Sequence, residues 1–271
     1  MVKINVRYQK YIILLGTSIA LRILLYVITN FYGPRIVPLP CNTKDINYPF
    51  KKGTVPSISL LIVTNVGTII ISLIIELYES NILKMDIKRK GKNPIFQKSM
   101  YFFAVFKIFV LYQIGYTIIF CLLRIFKYSI GKLRPNFVSI CKPNFTNVSC
   151  INEYYNEYEC MSPDKNAIDE ARLSFFSGHA AYACYFSTFL IAYMFMRSSK
   201  SSKGIKFAYI TAPLFIIFGI CVSISRITDY KHHTLDVIVG LIVGIAVGIS
   251  VAFSFEKAIR KDKEIFTYKE S

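Results

Sequence analysis

The sequence predicts an all-α, multi-pass membrane protein with six transmembrane helices and both termini in the cytosol. Three observations carry that reading. Hydrophobic residues fill 54% of the 271 positions and charged residues only 18%, with a mean hydropathy of +0.43; a soluble domain of this length carries more charge. The apolar residues gather into six runs of about 18 residues or more, enough to cross a hydrocarbon core as helix. The basic residues fall mostly in the loops of one side, as a cytosolic face requires.

The first run covers about 11–29 and follows Lys3, Arg7 and Lys10. It is too long for a signal-peptide core and lacks a small-residue cleavage site, so it reads as a retained span. Arg22 inside it is expected to snorkel or to pair within the bundle. A polar loop, 30–55, leads to the second run at about 56–77, and a basic loop from Lys84 to Lys98 leads to the third at about 99–123. Glu76 and Lys107 are placed to pair near one bilayer face. The long segment 124–177 precedes the fourth run at about 178–196. Arg197, Lys200, Lys203 and Lys206 then separate it from the fifth at about 207–225, and the short segment 226–233 leads to the sixth at about 234–255. The whole chain, 1–271, reads as one six-span domain.

Net charge +17 could point to nucleic acid. The placement of the charge argues against it: the cations flank apolar runs, where they set topology and touch anionic lipid. With the basic loops in the cytosol, 30–55, 124–177 and 226–233 face the outside or a lumen. Two features of those loops agree. Asn144-Phe145-Thr146 and Asn147-Val148-Ser149 are glycosylation sequons, useful only on that side. Cys41, Cys141, Cys150 and Cys160 all lie there too, and four cysteines allow two disulfides in three connectivities, among which the sequence does not choose. Cys121, Cys184 and Cys221 fall in or at spans and read as packing residues.

Three polar clusters interrupt the apolar pattern. Lys127 and Arg134-Pro135 follow the third run; alone they would read as interfacial anchors, with Pro135 ending a helix, although a guanidinium fork also suits phosphate oxygens. Ser174 to His179 opens the fourth run; Ser177 suits an N-cap, and the free amides at Gly178 also suit an anion. Ser225 to Asp236 joins the fifth run to the sixth. There His232 and Asp236, four residues apart, would share a helical face, the carboxylate holding the imidazole by one nitrogen and leaving the other free to attack. A zinc site is not expected, since the chain has only 3 histidines and no tetrahedral set at suitable spacing. All three histidines fall in these clusters, and all three clusters fall on the same side at span ends. That convergence is what an active site at the outer membrane surface requires.

At these residues the chain resembles the lipid phosphate phosphatase family, the integral-membrane type 2 phosphatidate phosphatases. The three-part signature reads here as Lys127 with Arg134-Pro135 seven residues on, Phe176-Ser177-Gly178-His179, and Ser225-Arg226 with His232 and Asp236. Phe176 stands where many members have proline; animal members often carry an aromatic there. Gly131 to Pro135, Ala171 to His179, Asp229 to His233, Cys41-Asn42 and Tyr48-Pro49-Phe50 look like the animal enzymes in particular. The resemblance implies metal-free, cofactor-free hydrolysis of a lipid phosphate monoester lodged in the bilayer. In that chemistry Lys127, Arg134, Arg226, Ser177 and the Gly178 amide would cradle the phosphate. His232 would attack phosphorus, Asp236 would orient it, and His179 would serve as acid and then base. Phosphatidate, lysophosphatidate, sphingosine 1-phosphate and ceramide 1-phosphate all fit, and a homo-oligomer is left open. An outward-facing site suits the plasma membrane first, with the endoplasmic reticulum and Golgi as alternatives.

Overall fold

The computed structural model describes residues 2–88, 94–145, 149–198 and 202–267, with side chains described throughout these except at 2–7, 79–101, 202 and 255–267. The helices in chain order are α1 (Val2–Tyr32), α2 (Ser57–Lys88) and α3 (Pro94–Ile130), the short α4 (Phe137–Cys141) and α5 (Lys165–Ala171), then α6 (Gly178–Ser198), α7 (Ser202–Thr228) and α8 (Thr234–Thr267). Among the described residues six helices are long and apolar enough to cross a membrane, the apolar stretches being Tyr8–Tyr32, Ser57–Tyr78, Phe102–Ile130, Gly178–Ser198, Lys203–Thr228 and Thr234–Ser254.

Two ends differ from the sequence expectation. Helix α3 runs on to Ile130 rather than stopping near 123, which puts Lys127 in its last turn. Gly131, not Pro135, ends it: Gly131 has φ +66, its amide bonds back to the Lys127 carbonyl at 3.1 Å, and a Cβ there would overlap the Arg35 carbonyl oxygen. A left-handed glycine is a common helix terminator. Helix α7 likewise continues to Thr228, so Arg226 is helical.

Helix α6 is the centre of the bundle, packed on α8, α7, α2 and α3. Its apolar core includes Tyr112, Tyr185, Phe189, Tyr193 and Leu190, all fully buried. Helix α8 approaches it along Gly240, Gly244 and Gly248, one turn apart; a Cβ on Gly244 would overlap the Ala181 carbonyl oxygen. Without a hydrophobic drive between helices in lipid, such close backbone approach supplies the packing. Buried hydroxyls along α2 are satisfied locally: Thr64, Thr68 and Ser72 each donate to the carbonyl four residues back, at 2.6–2.9 Å, as an apolar surrounding requires. Arg22 stacks over the Tyr116 ring at 5.4 Å. Glu76 is clamped by Arg197 and Tyr193, while Lys107 lies over Tyr11 at 5.8 Å.

At the end where α6 begins, the loops form a cap. A strap over residues 33–56 crosses it, and residues 131–177 fold beside it. Strand β1 (Leu39–Pro40) pairs antiparallel with β3 (Tyr154–Tyr155), and β2 (Pro143–Asn144) with β4 (Glu159–Cys160). The disulfides are Cys41–Cys150 and Cys141–Cys160, which picks one of the three connectivities. The first closes a separation of 109 residues, a loop for which the chain-entropy model gives about 4–5 kcal/mol. A small second core of Leu39, Ile46, Leu133, Phe137 and Ala171 holds the cap together. Asn144 is exposed on β2, whereas Thr146 and Asn147 lie outside the described residues. Of the remaining cysteines, Cys184 is buried, Cys121 half-buried and Cys221 exposed.

Candidate active site

The three polar clusters meet beneath the strap, and backbone carbonyls do much of the joining. The Arg134 amide donates to the Ala171 carbonyl at 2.8 Å and the Ser174 amide to the Lys132 carbonyl at 2.9 Å. These two bonds lay the first cluster along the second. Lys127 Nζ donates to the Leu173 carbonyl at 2.6 Å. His233 Nε2 donates to the Leu133 carbonyl at 3.0 Å, tying the third cluster to the first. The Ser177 amide donates to the Asp236 carbonyl at 2.9 Å, tying the second to the third.

His232 is not on helix α8. It lies in the turn between α7 and α8, where Tyr230 has φ 55 and the amides of Lys231 and His232 both fold back on the Arg226 carbonyl, at 3.1 and 3.2 Å. A tyrosine in the left-handed region is uncommon; the ring is held by stacking on Tyr48 at 4.6 Å and by Lys51 Nζ at 4.4 Å. The expected hydrogen bond from the His232 ring to the Asp236 carboxylate is therefore replaced by a longer connection. His232 Nδ1 donates to the Ser174 carbonyl at 2.7 Å. Asp236, fully buried, accepts instead from Ser174 Oγ and Lys132 Nζ, each at 2.6 Å, and from the His233 amide at 3.1 Å. The reason is geometric: once the imidazole sits in a turn rather than on the helix, the four-residue spacing no longer faces it toward Asp236. Asp236 thus holds Ser174, and Ser174 holds the ring.

That arrangement fixes the tautomer. A carbonyl can only accept, so the proton sits on Nδ1 and the lone pair on Nε2. Burial pushes the His232 pKa well below the usual histidine range, helped by Lys127 and Arg134. The ring stays neutral with a free nitrogen.

His232 opens into a chamber of about 370 Å³ whose charged lining is Lys52, Lys127, Arg134, Glu170, Arg226 and Lys231, with His179 and the Gly178 backbone beside them. His179 Nε2 donates to the Val55 carbonyl of the strap at 3.1 Å. Arg226 is 3% exposed and donates through Nη2 to Asp229 at 2.8 Å. Asp229 also accepts from the Thr54 amide and hydroxyl, at 2.7 and 2.8 Å, so the same carboxylate aims the arginine and fastens the strap. Arg134 pairs through Nη2 with Glu170 at 2.7 Å, and its Nε is buried with no partner among the described residues. Arg134 holds the Glu170 carboxylate below its ordinary pKa. Burial, then Arg134, lowers Lys231.

Ser177 does not reach the chamber. It is fully buried as the first-turn cap of α6, with the Ala180 amide 3.5 Å from its hydroxyl and the Ala181 amide bonded to its carbonyl at 3.1 Å. Those two bonds leave the Gly178 and His179 amides as the ones that helix geometry frees for a ligand. A second cavity of about 370 Å³ adjoins the chamber and shares Ser57, Lys127, Glu170, Gly178 and His179 with it. The rest of its wall is largely apolar and aromatic, from Leu60 and Leu61 on α2, Phe120 and Leu123 on α3, and Tyr182 on α6, with Arg124 as its one further charged residue.

Sequence reasoning missed Glu170, Lys132, Lys52 and Lys231 as chamber or support residues, and missed the function of the Ser174 and Val55 carbonyls. A carbonyl bears no mark in the sequence. Glu170, four residues before Ser174 and directly preceding the family-like segment Ala171 to His179, was the one legible signal. Among the described residues no group of three or more His, Cys, Asp or Glu could hold a metal ion.

Known proteins are similar to this chain over most of its length. The family model described as PAP2 superfamily matches residues 105–260. "Phospholipid phosphatase 1" of Mus musculus is 32% identical over 222 residues, covering 79% of this chain and 73% of that protein. "Phospholipid phosphatase 2" of Homo sapiens is 31% identical over 202 residues, covering 74% and 67%. A Caenorhabditis elegans protein, "Phospholipid phosphatase homolog 1.2 homolog", is 30% identical over 213 residues, covering 74% and 60%. No solved structure matches the chain.

Proposed function

The chain belongs to the PAP2 superfamily, and from that premise we propose that it hydrolyses lipid phosphate monoesters in the bilayer through a phosphohistidine on His232. The coarser part follows from membership: it is a multi-pass membrane phosphatase acting on phosphate monoesters. The observation that carries the finer reading is the pair of adjoining cavities, one strongly cationic and one largely apolar, inside a bundle of six helices long and apolar enough to cross a membrane. A phosphate at headgroup depth fits the first, and the start of an acyl chain fits the second.

In this mechanism the phosphate oxygens take Arg134, Arg226, Lys127 and the Gly178 and His179 amides. The unpartnered Arg134 Nε gains an acceptor. These groups stabilise charge on the equatorial oxygens as phosphorus becomes five-coordinate. The His232 Nε2 lone pair attacks phosphorus while the bond to the lipid oxygen breaks, and the Ser174 carbonyl stabilises the ring as it gains positive charge. His179, shared by both cavities, protonates the departing alkoxide and the lipid alcohol returns to the bilayer. The resulting neutral His179 then takes a proton from water as that water attacks phosphorus, releasing phosphate and restoring His232. Asp236 acts at one remove, by fixing Ser174.

The disulfides lie at the chamber end, which supports an oxidising, outside or luminal placement of the site with cytosolic termini. The plasma membrane is the membrane we favour, and sequons at Asn144 and Asn147 would then be open to glycosylation. Phosphate release from phosphatidate, lysophosphatidate, sphingosine 1-phosphate and ceramide 1-phosphate tests the reading. His232→Ala should lose at least about 10⁴-fold in kcat and lose the acid-labile phosphoenzyme, while folding normally. Turnover near wild type would overturn the mechanism. Equal activity toward added lipid in intact and permeabilised cells is expected for a cell-surface site.

A further inference from the structure

Glu170 has the wrong sign for a phosphate chamber. It is the one acid among the charged residues lining that cavity, set against Lys52, Lys127, Arg134, Arg226 and Lys231. An ionised carboxylate near a phosphate dianion weakens binding unless it meets a cation in the complex. Arg134 is its partner at 2.7 Å, yet the Glu170 side chain remains 65% exposed. When phosphate engages Arg134, Glu170 must share that guanidinium or find another cation.

Its position says where that cation would be. Glu170 belongs to the wall of both cavities, as does His179. If His179 protonates the leaving oxygen, the phosphoester oxygen lies at their junction. The next two carbons of the lipid then pass Glu170 as they enter the apolar cavity. In a glycerolipid the second carbon carries oxygen. In a sphingoid-base phosphate it carries an ammonium, three bonds from the phosphoester oxygen. Five neighbouring lysines and arginines would repel that ammonium, and Glu170 is the chamber's acid that can offset them.

We propose that Glu170 is a specificity-determining residue that pairs with a substrate ammonium beside the phosphoester, so that sphingoid-base phosphates are favoured over their uncharged N-acyl counterparts. The inference rests on the lipid phosphatase reading above. It gives Glu170 a role in the substrate complex that a mere prop for Arg134 would not have.

The test compares sphingosine 1-phosphate with its N-acetyl derivative, which removes the charge and adds the least volume. Purified wild type, Glu170→Gln and Glu170→Asp are assayed for kcat/KM in mixed micelles at equal surface fraction. Wild type should prefer the amine. Glu170→Gln should lower the amine-to-amide ratio about tenfold, the size expected of a charge-assisted hydrogen bond; any change that reaches the phosphate through Arg134 is common to both lipids and cancels in the ratio. Glu170→Asp should keep most of the preference even at a lower rate, and it serves as the readout if the glutamine variant folds poorly. Equal losses on both lipids, an unchanged ratio, or a wild-type preference for the N-acetyl lipid would each overturn the proposal. Failure of wild type to hydrolyse either lipid would overturn the phosphatase reading and this inference with it, an outcome distinct from the others.

Discussion

Two clusters of charge sit toward opposite ends of this bundle, about 28 Å apart along α2 and α6 by helical rise, and they are built in opposite ways. At the inner cluster Glu76 accepts from Arg197 Nε at 2.6 Å and Nη2 at 2.8 Å, and from the Tyr193 hydroxyl at 3.0 Å. The guanidinium fork meets both carboxylate oxygens there, so the pair is internally matched. At the outer cluster five lysines and arginines line a cavity with a single carboxylate, and a buried guanidinium nitrogen has no acceptor among the described residues. A matched pair in a low-dielectric interior ties helices together; a surplus of one sign is costly unless a ligand of the other sign arrives. The contrast separates charge that serves architecture from charge that serves binding.

Three measurements sharpen or break that contrast. The largest effect is expected at the inner pair. Arg197→Ala leaves the Glu76 carboxylate, 5% exposed, without its countercharge and should destabilise the protein by about 3–5 kcal/mol, read as thermal unfolding in detergent. Its kcat/KM per folded molecule should be unchanged. Lost turnover at full stability would erase the distinction. Next, Arg134→Ala at the outer cluster should lower kcat/KM by about 10²–10³-fold, the loss of one transition-state charge donor, with an unfolding midpoint near wild type because its partner Glu170 is largely exposed. A large fall in stability instead would move Arg134 into the architectural class.

The smallest effect is in pH. The folded-state pKa of His232 is held well below the usual value by burial and by Lys127 and Arg134, so the unfolded chain takes up this proton more readily than the folded one. Stability contributed by the neutral ring is present above the ordinary histidine pKa and is lost as pH falls below about 6.5. Wild type should therefore lose more of its unfolding midpoint between about pH 7.5 and 5 than His232→Gln does. The acid limb of kcat/KM assigned to His232 should lie well below the usual histidine range. Identical pH dependence of stability in the two proteins would mean that His232 is not held neutral.

The six apolar runs were legible because burial in lipid demands about 20 apolar residues with no freedom about where they fall. Their ends were less so. Lys127 and Arg226 extend helices past the apolar runs, since backbone hydrogen bonds continue wherever a glycine or turn does not stop them. The signature residues were legible as types, and the structure gathers Lys127, Arg134, His179, Arg226 and His232 around one cavity. Asp236 and Ser177 were misplaced by one layer. Both stand behind the cavity wall, a distinction that spacing does not encode because a turn replaces the helix at His232.

The sequence alone determined the class of protein, the span count and the three clusters, because hydropathy and residue chemistry act locally. Tertiary structure alone decided which nitrogen of His232 is free, which cysteines pair, and that Glu170 stands at the junction of two cavities. Each of those depends on groups far apart in the chain: the Ser174 carbonyl lies 58 positions from His232, the Val55 carbonyl 124 from His179, and Cys150 109 from Cys41. Contacts of that span arise only when helices pack and the strap folds across them, and backbone carbonyls, identical at every residue, acquire a function only by where the packing puts them.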